Sequence, residues 1–174
     1  GLINDILMIS RLEAKDAEVV VSDVRVSVLL EEIIDSLKPA AAAGQVFMHC
    51  DCQPLSIKAN PQQMKELLSN LVSNAVKYNR PGGQVWVNIR EKDGNMVARV
   101  RDNGVGIPQE SLDRIFERFY RVDKGRSRKQ GGTGLGLSIV KHIVNFYHGT
   151  IRVTSQLEEG TEFVVTIPLN WKDL

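Results

Sequence analysis

Gly131-Gly132-Thr133-Gly134-Leu135-Gly136-Leu137 runs without a break into Ser138-Ile139-Val140-Lys141-His142-Ile143-Val144. The first half is a glycine tract, and the second has the apolar spacing of a helix. A glycine tract that opens a helix gathers free backbone N–H groups and the positive end of the helix dipole at one spot. That combination suits a phosphate. The spacing matches neither the dinucleotide pattern G-x-G-x-x-G nor the P-loop pattern G-x-x-x-x-G-K-[ST], so a nucleotide would be held in a third way. The helix is expected from Gly134 to Gly149, where the glycine suits a C-cap.

Working outward, Thr150 to Ser155 and Thr161 to Pro168 form a closing hairpin with Glu159-Gly160 in its turn. Upstream, Gln84 to Glu91 and Met96 to Asp102 flank Lys92-Asp93-Gly94-Asn95, a second hairpin signal. Asn60-Pro61 is an N-cap and first-turn pair that opens a helix to about Tyr78, and Pro81-Gly82-Gly83 breaks it. Val19 to Val26 reads as a strand leading into a helix from about Ser27 to Ala43. Val46 to Asp51 and Leu55 to Ala59 are short strands, and a short helix is expected near Glu110 to Phe116. The order predicts an α+β sandwich whose mixed, mostly antiparallel sheet is covered on one face by helices.

Residues 1–15 read as the end of a longer helix. Leu2, Ile3, Ile6, Leu7, Ile9 and Leu12 form an apolar stripe too wide to stay in water. Its natural partner is another helix, such as one from a second copy of the chain; the alternative is packing on its own domain. Residues 16–174 then form the main domain. The 174 residues suffice for one domain and a short appendage. A net charge of +1 gives no electrostatic case for nucleic acid. No apolar run approaches the ~20 residues of a membrane span. Cys50 and Cys52 alternate on a strand and share a face, which reads as reduced thiols in a cytosolic protein, with no partner ligands nearby for a metal.

Three further segments carry chemistry. On the helix from Pro61, Met64, Leu67, Leu68, Leu71, Val72 and Ala75 share one face, while Glu66, Asn70, Asn74 and Lys77 share another about 130° away. A neutral amide oxygen can ligate Mg²⁺ beside phosphate oxygens, and a lysine can neutralise those phosphates; a plain solvated face is the competing reading. Strand alternation puts Asp102 on the apolar side with Ala98 and Val100, where its carboxylate must find a donor. An adenine amine would serve, with Gly104 and Gly106 allowing close approach to a flat ring; an ordinary Asp-Asn-Gly turn is the alternative. Phe116-Glu117-Arg118-Phe119-Tyr120-Arg121 leads into a segment with Lys124, Arg126, Arg128 and Lys129, which reads as a basic lid over a phosphate chain or as a solvated loop.

Together these pieces resemble the sensor histidine kinases of two-component systems. Asn70 to Tyr78 resembles their N box, Asp102-Asn103-Gly104-Val105-Gly106 the first glycine box, and Phe116 to Phe119 the F box. Gly132 to Leu137 resembles the second glycine box, and Gly160-Thr161 the closing glycine-threonine. The pieces occur in the family's order over nearly the whole chain. Leu2 to Glu13 resembles the end of the second dimerisation helix.

The resemblance implies the ATP-binding Bergerat fold shared with gyrase-type ATPases and Hsp90. It implies that Asn74, assisted by Asn70, carries Mg²⁺, and that Lys77 approaches the phosphates. Asp102 would read the adenine amino group, with Tyr78 near the ring and Gly104, Gly106, Ile107 and Thr161 in the same site. Arg118 and Arg121 would sit by the phosphates, the backbone of Gly132, Gly134 and Gly136 would wrap the phosphate tail, and Phe119, Thr133, Leu135 and Leu137 would belong to the same nucleotide site. The implied enzyme is a bacterial protein histidine kinase, the cytoplasmic portion of a membrane-anchored homodimer that relays phosphate to a response regulator. A stand-alone serine kinase of the anti-sigma-factor type and a non-catalytic nucleotide sensor are the other readings. Hydrolysing relatives carry a glutamate base where this chain has Asn70, and an amide cannot take a proton from water. His49, His142 and His148 are each followed by a residue other than an acid, unlike the family's phosphoacceptor, so the acceptor is expected on another part of the protein.

Overall fold

The computed structural model describes residues 1–13, 19–122 and 132–173. Its elements are α1 (Leu2–Glu13), β1 (Ser22–Arg25), α2 (Val26–Gly44), β2 (Phe47–Cys52), β3 (Ser56–Ala59), α3 (Pro61–Lys77), β4 (Gln84–Lys92), β5 (Asn95–Asp102), α4 (Gly136–Phe146), β6 (Thr150–Gln156) and β7 (Gly160–Pro168). A five-stranded sheet has the order β2-β4-β5-β7-β6. The β2–β4 pair is parallel and the others antiparallel. β1 and β3 make a separate antiparallel pair. The expected mixed, mostly antiparallel sheet with helices on one face is what forms.

Period-2 alternation directs Val85, Val87 and Ile89 of β4, Met96, Ala98 and Val100 of β5, and Phe163, Val165 and Ile167 of β7 to one face. Leu67, Leu68, Leu71 and Val72 of α3 and Ile139, Val140, Ile143 and Val144 of α4 close on it, all buried. Burial of a large aliphatic side chain contributes about 1.5–3 kcal/mol, so this interface is the main source of stability. It also fixes which faces of α3 and α4 remain for a site.

The caps follow local chemistry. Asn60 accepts from the Gln63 N–H at 3.1 Å, with Pro61 in the first turn, as the sequence predicts. The β4–β5 turn places Asp93 and Gly94 at φ of 53° and 78°, the twist a two-residue hairpin requires.

Four boundaries differ from expectation. The first strand is shorter, because Val26 already opens α2, its N–H bound to the Leu55 carbonyl at 3.1 Å. The helix expected near Glu110 to Phe116 is a single 3-10 turn, Gln109–Ser111, followed by irregular turns. The last long helix starts at Gly136 rather than Gly134. It also ends without Gly149 as the left-handed residue. His148 takes φ 56°, and the Gly149 N–H caps the Val144 carbonyl at 2.9 Å.

α1 packs on α4 through Ile9, which is buried, with Met8 and Leu12 half-buried beside it. This is the packing on its own domain weighed above. Leu2, Ile3, Ile6 and Leu7 nevertheless stay exposed, so only one side of the stripe is satisfied. Cys50 and Cys52 lie on β2 as free thiols toward α2, and burial pushes both above the ordinary thiol range. Among the described residues no group of His, Cys, Asp and Glu is arranged to hold a metal, and no helix is long and apolar enough to cross a membrane.

Candidate nucleotide site

A cavity of about 490 Å³ opens between α3, the end of β5, and the segment leading into α4. That volume falls within the ordinary range for a small-molecule site. The helical period of α3, having spent one face on the core, turns Asn70, Asn74 and Lys77 toward the cavity, and Tyr78 follows at the helix end. Gly132, Thr133, Gly134, Gly136 and Leu137 form the facing wall. Asp102, Gly106, Ile107 and Thr161 close one end, and Arg121 also lines it.

Asn70 is oriented. Its Nδ2 donates to the Glu66 carbonyl at 2.7 Å, which leaves Oδ1 as the outward acceptor. That oxygen lies 2.8 Å from where a Cβ on Gly136 would sit, hard against the N-terminus of α4. Two neutral amide oxygens without an acidic cluster suit a divalent cation whose negative ligands arrive on a phosphate.

Asp102 continues the apolar face of β5, as alternation predicts. Burial pushes its carboxyl from 3.8 up to about 6, against the lowering effect of backbone N–H groups of Gly104 and Thr161. The Gly104 N–H reaches Oδ1 at 2.9 Å. The Thr161 hydroxyl pairs with Ser155 Oγ at 2.9 Å, and that oxygen also accepts from the Ile107 N–H at 2.8 Å. One end of the cavity thus combines apolar walls with a half-buried carboxylate, a setting for a flat ring that bears an N–H donor.

Other expected residues stand back from the wall. Gly104 does not line the cavity. A Cβ there would lie 2.3 Å from the Tyr78 carbonyl oxygen, and one on Gly106, which does line the cavity, would lie 2.2 Å from that of Gln156. Their close approach is to the protein's own backbone. Leu135 is buried in the core. Phe119 is exposed, and its N–H donates to the Gly134 carbonyl at 2.9 Å, so its backbone braces the glycine tract. Arg118 forms an ion pair with Glu13 of α1 and lies 3.5 Å from His142 Nε2. The His142 ring is held below its ordinary value by burial and by that guanidinium. Lys124, Arg126, Arg128, Lys129 and Gly131 fall outside the described residues.

Sequence reading missed Asp5, which lines the cavity and accepts from the Thr133 hydroxyl at 2.8 Å. It also missed Ser155 and Arg80. Nothing local marks these residues, since each acts across a large sequence separation.

The histidine kinase-, DNA gyrase B-, and HSP90-like ATPase family matches residues 59–170, a span that contains α3, β5, the glycine tract and β7. The chain belongs to this family. It is 34% identical over 169 residues to the sensor protein kinase WalK of Staphylococcus haemolyticus, covering 96% of this chain and 28% of that protein. A Staphylococcus aureus WalK is 33% identical, with 41% of its length covered. Among solved structures, full-length ShkA in complex with AMPPNP superposes with a TM-score of 0.81 at 30% identity, over 96% of this chain and 35% of that one. The histidine kinase AdeS of Acinetobacter baumannii, at 20% identity, shares the fold with a TM-score of 0.80 over 97% of this chain and 77% of that one. The chain is therefore an ATP-binding catalytic domain of the sensor histidine kinase type, and it spans 28% to 41% of the length of these WalK relatives.

Proposed function

We propose that this domain binds ATP with Mg²⁺ in the cavity and donates the γ-phosphoryl group to a histidine on a dimerisation domain, for relay to a response-regulator aspartate. The observation that carries the reading is the placement of Asp102. A half-buried carboxylate closes one end of a cavity whose flank presents Asn70, Asn74 and Lys77. Asp102 accepts from the adenine amine, with Tyr78 and Ile107 beside the ring. Asn74, with Asn70, supplies neutral oxygens to Mg²⁺, which when bound offsets charge on the phosphates. Lys77 and Arg121 neutralise the phosphate chain from the protein side. The backbone N–H groups of Gly132, Gly134 and Gly136 and the dipole of α4 receive its oxygens.

Positioning and charge neutralisation then carry the reaction. The incoming imidazole nitrogen bonds to the γ-phosphorus as the bond to the β-phosphate oxygen breaks, and ADP leaves. Asn70 offers no base to water, which favours transfer over hydrolysis. Residues 1–15 are read as the end of the second dimerisation helix, and the full protein as a membrane-anchored homodimer with this part in the cytoplasm.

Mixing the domain with an isolated dimerisation segment that carries the acceptor histidine, labelled ATP and Mg²⁺ tests the proposal. Acid-labile, base-stable label on the segment is expected. Acid-stable label on a serine would support the serine-kinase reading, and no transfer by a domain that binds ATP would overturn the kinase reading.

A further inference from the structure

Three backbone segments meet behind Asp102, and one side chain joins them. Arg80 Nη2 donates to the Gly104 carbonyl at 2.9 Å, to the Glu158 carbonyl at 3.1 Å and to Glu158 Oε2 at 3.3 Å. The same residue faces Asp102 with its nitrogen, the Gly104 N–H donating to Oδ1 at 2.9 Å. Around it, the Val105 N–H binds the Tyr78 carbonyl at 3.1 Å, and the Glu158 N–H binds the Val105 carbonyl at 2.9 Å. Glu158 holds φ at 65°, a strained setting for a residue with a Cβ. The Arg80 backbone is itself fixed. Its N–H donates to Asn79 Oδ1 at 2.9 Å, Asn79 Nδ2 donates to the Gln84 carbonyl at 3.0 Å, and Pro81 restricts the residue before it.

The guanidinium is held there at a cost. Arg80 Nε is buried without a hydrogen-bond partner among the described residues, a state a mobile surface arginine would avoid. The contacts at Nη2 therefore set its position. A planar guanidinium can serve convergent carbonyl oxygens in this way; an ammonium, as a point charge, cannot do so with the same geometry.

We infer that Arg80 is a positioning residue for adenine recognition, holding Gly104 by its carbonyl so that the N–H on the other side of the same residue aims the Asp102 carboxylate into the cavity. The inference rests on the adenine reading of Asp102 given above. Arg80 touches neither ring nor phosphate in this role. Its effect is confined to the base end of the cavity, because among the described residues the hydrogen bonds it donates and its ion pair go to Asn79, Gly104 and Glu158 and not to Asn70, Asn74 or residues 132–136.

Calorimetric titration of the intact domain with adenosine, guanosine and Mg²⁺-tripolyphosphate provides the test. Arg80→Met is expected to weaken adenosine binding about fivefold to tenfold, the yield of roughly 1–1.4 kcal/mol. The preference for adenosine over guanosine should fall, and tripolyphosphate affinity should stay unchanged. Arg80→Lys should recover only part of the loss. Equal weakening of adenosine and tripolyphosphate would mark general destabilisation and overturn the role. Unchanged adenosine binding in Arg80→Met, with weakened binding in Asp102→Asn, would overturn the role alone. Unchanged adenosine binding in both variants would overturn the adenine reading and this role with it.

Discussion

Asp102 carries a cost that an unliganded domain has no reason to bear. Its carboxyl is raised from 3.8 to about 6 by burial. Below pH 4 it is protonated in the folded and unfolded chain alike, and no penalty arises. The penalty grows between about pH 4 and 6 and is complete above pH 6, where the folded state must keep a charge it disfavours. Asp102→Asn should therefore stabilise the nucleotide-free domain at pH 7 by up to about 3 kcal/mol, a gain that vanishes below pH 4. Thermal melts across pH check this. The same variant should lose about tenfold in ATP affinity at pH 7, the difference between a charge-assisted and a neutral acceptor. Wild-type affinity should fall as pH drops through about 6, whereas that of the variant should not. A melting temperature equal to wild type at pH 7 would show that the carboxylate is not strained.

Asn70 makes the opposite kind of statement, by what it lacks. Its Oδ1 already sits against the N-terminus of α4, so a carboxylate there would be kept ionised by the helix dipole. Asn70→Glu should raise ATP hydrolysis at least ~10-fold, as a general base does, without raising phosphotransfer. Phosphate release and label transfer measured on one preparation separate the two. Equal or lower hydrolysis by a folded variant would remove Asn70 from this role.

At the scale of elements, α3 and α4 are joined by more than apolar packing. The buried Tyr147 hydroxyl, just past α4, donates to Gln63 Oε1 and accepts from the Asn60 N–H at 2.9 Å, which ties it to the cap of α3. Burial pushes this phenol up to about 12. Tyr147→Phe leaves both partners unsatisfied in the interior and should cost about 1–3 kcal/mol in urea unfolding. A smaller loss would mean that water replaces the hydroxyl. This tie was invisible in the sequence, whereas the Asn60-Pro61 cap beside it was plain. The contrast is physical. A cap, a hairpin turn or an alternating strand is written within a few residues, so α3, the β4–β5 hairpin and the inward Asp102 were legible. The end of α4 was misread because Gly149 answers to a distant constraint, a Cβ there lying 2.4 Å from the Thr166 carbonyl oxygen. The ordered motifs named Asn70, Asn74, Lys77, Gly132, Gly134 and Gly136, which the fold brings to one cavity. They gave no sign that Gly104 serves Tyr78 and Arg80, or that Asp5 reaches Thr133.

For the whole molecule, α1 is the element that connects the cavity to an exposed apolar surface. Asp5 accepts from Thr133 within the cavity wall, and Glu13 pairs with Arg118 near the other end of the helix. Both acids thus hold groups that the family resemblance assigns to the nucleotide site, while Leu2, Ile3, Ile6 and Leu7 face outward uncovered. A carboxylate beside the phosphate tract repels a triphosphate but not a nucleoside. Asp5→Asn keeps an oxygen for the Thr133 hydroxyl and removes only the charge. It should tighten ATP binding about threefold to tenfold, the scale of a partly exposed charge interaction of roughly 1 kcal/mol. Adenosine affinity should not move, and the ATP difference should shrink in high salt as the charges are screened. Calorimetry with both ligands at two salt concentrations checks this. Weaker ATP binding in the variant would instead make Asp5 a contributor to the metal–phosphate end, and equal changes for both ligands would reduce α1 to a packing element.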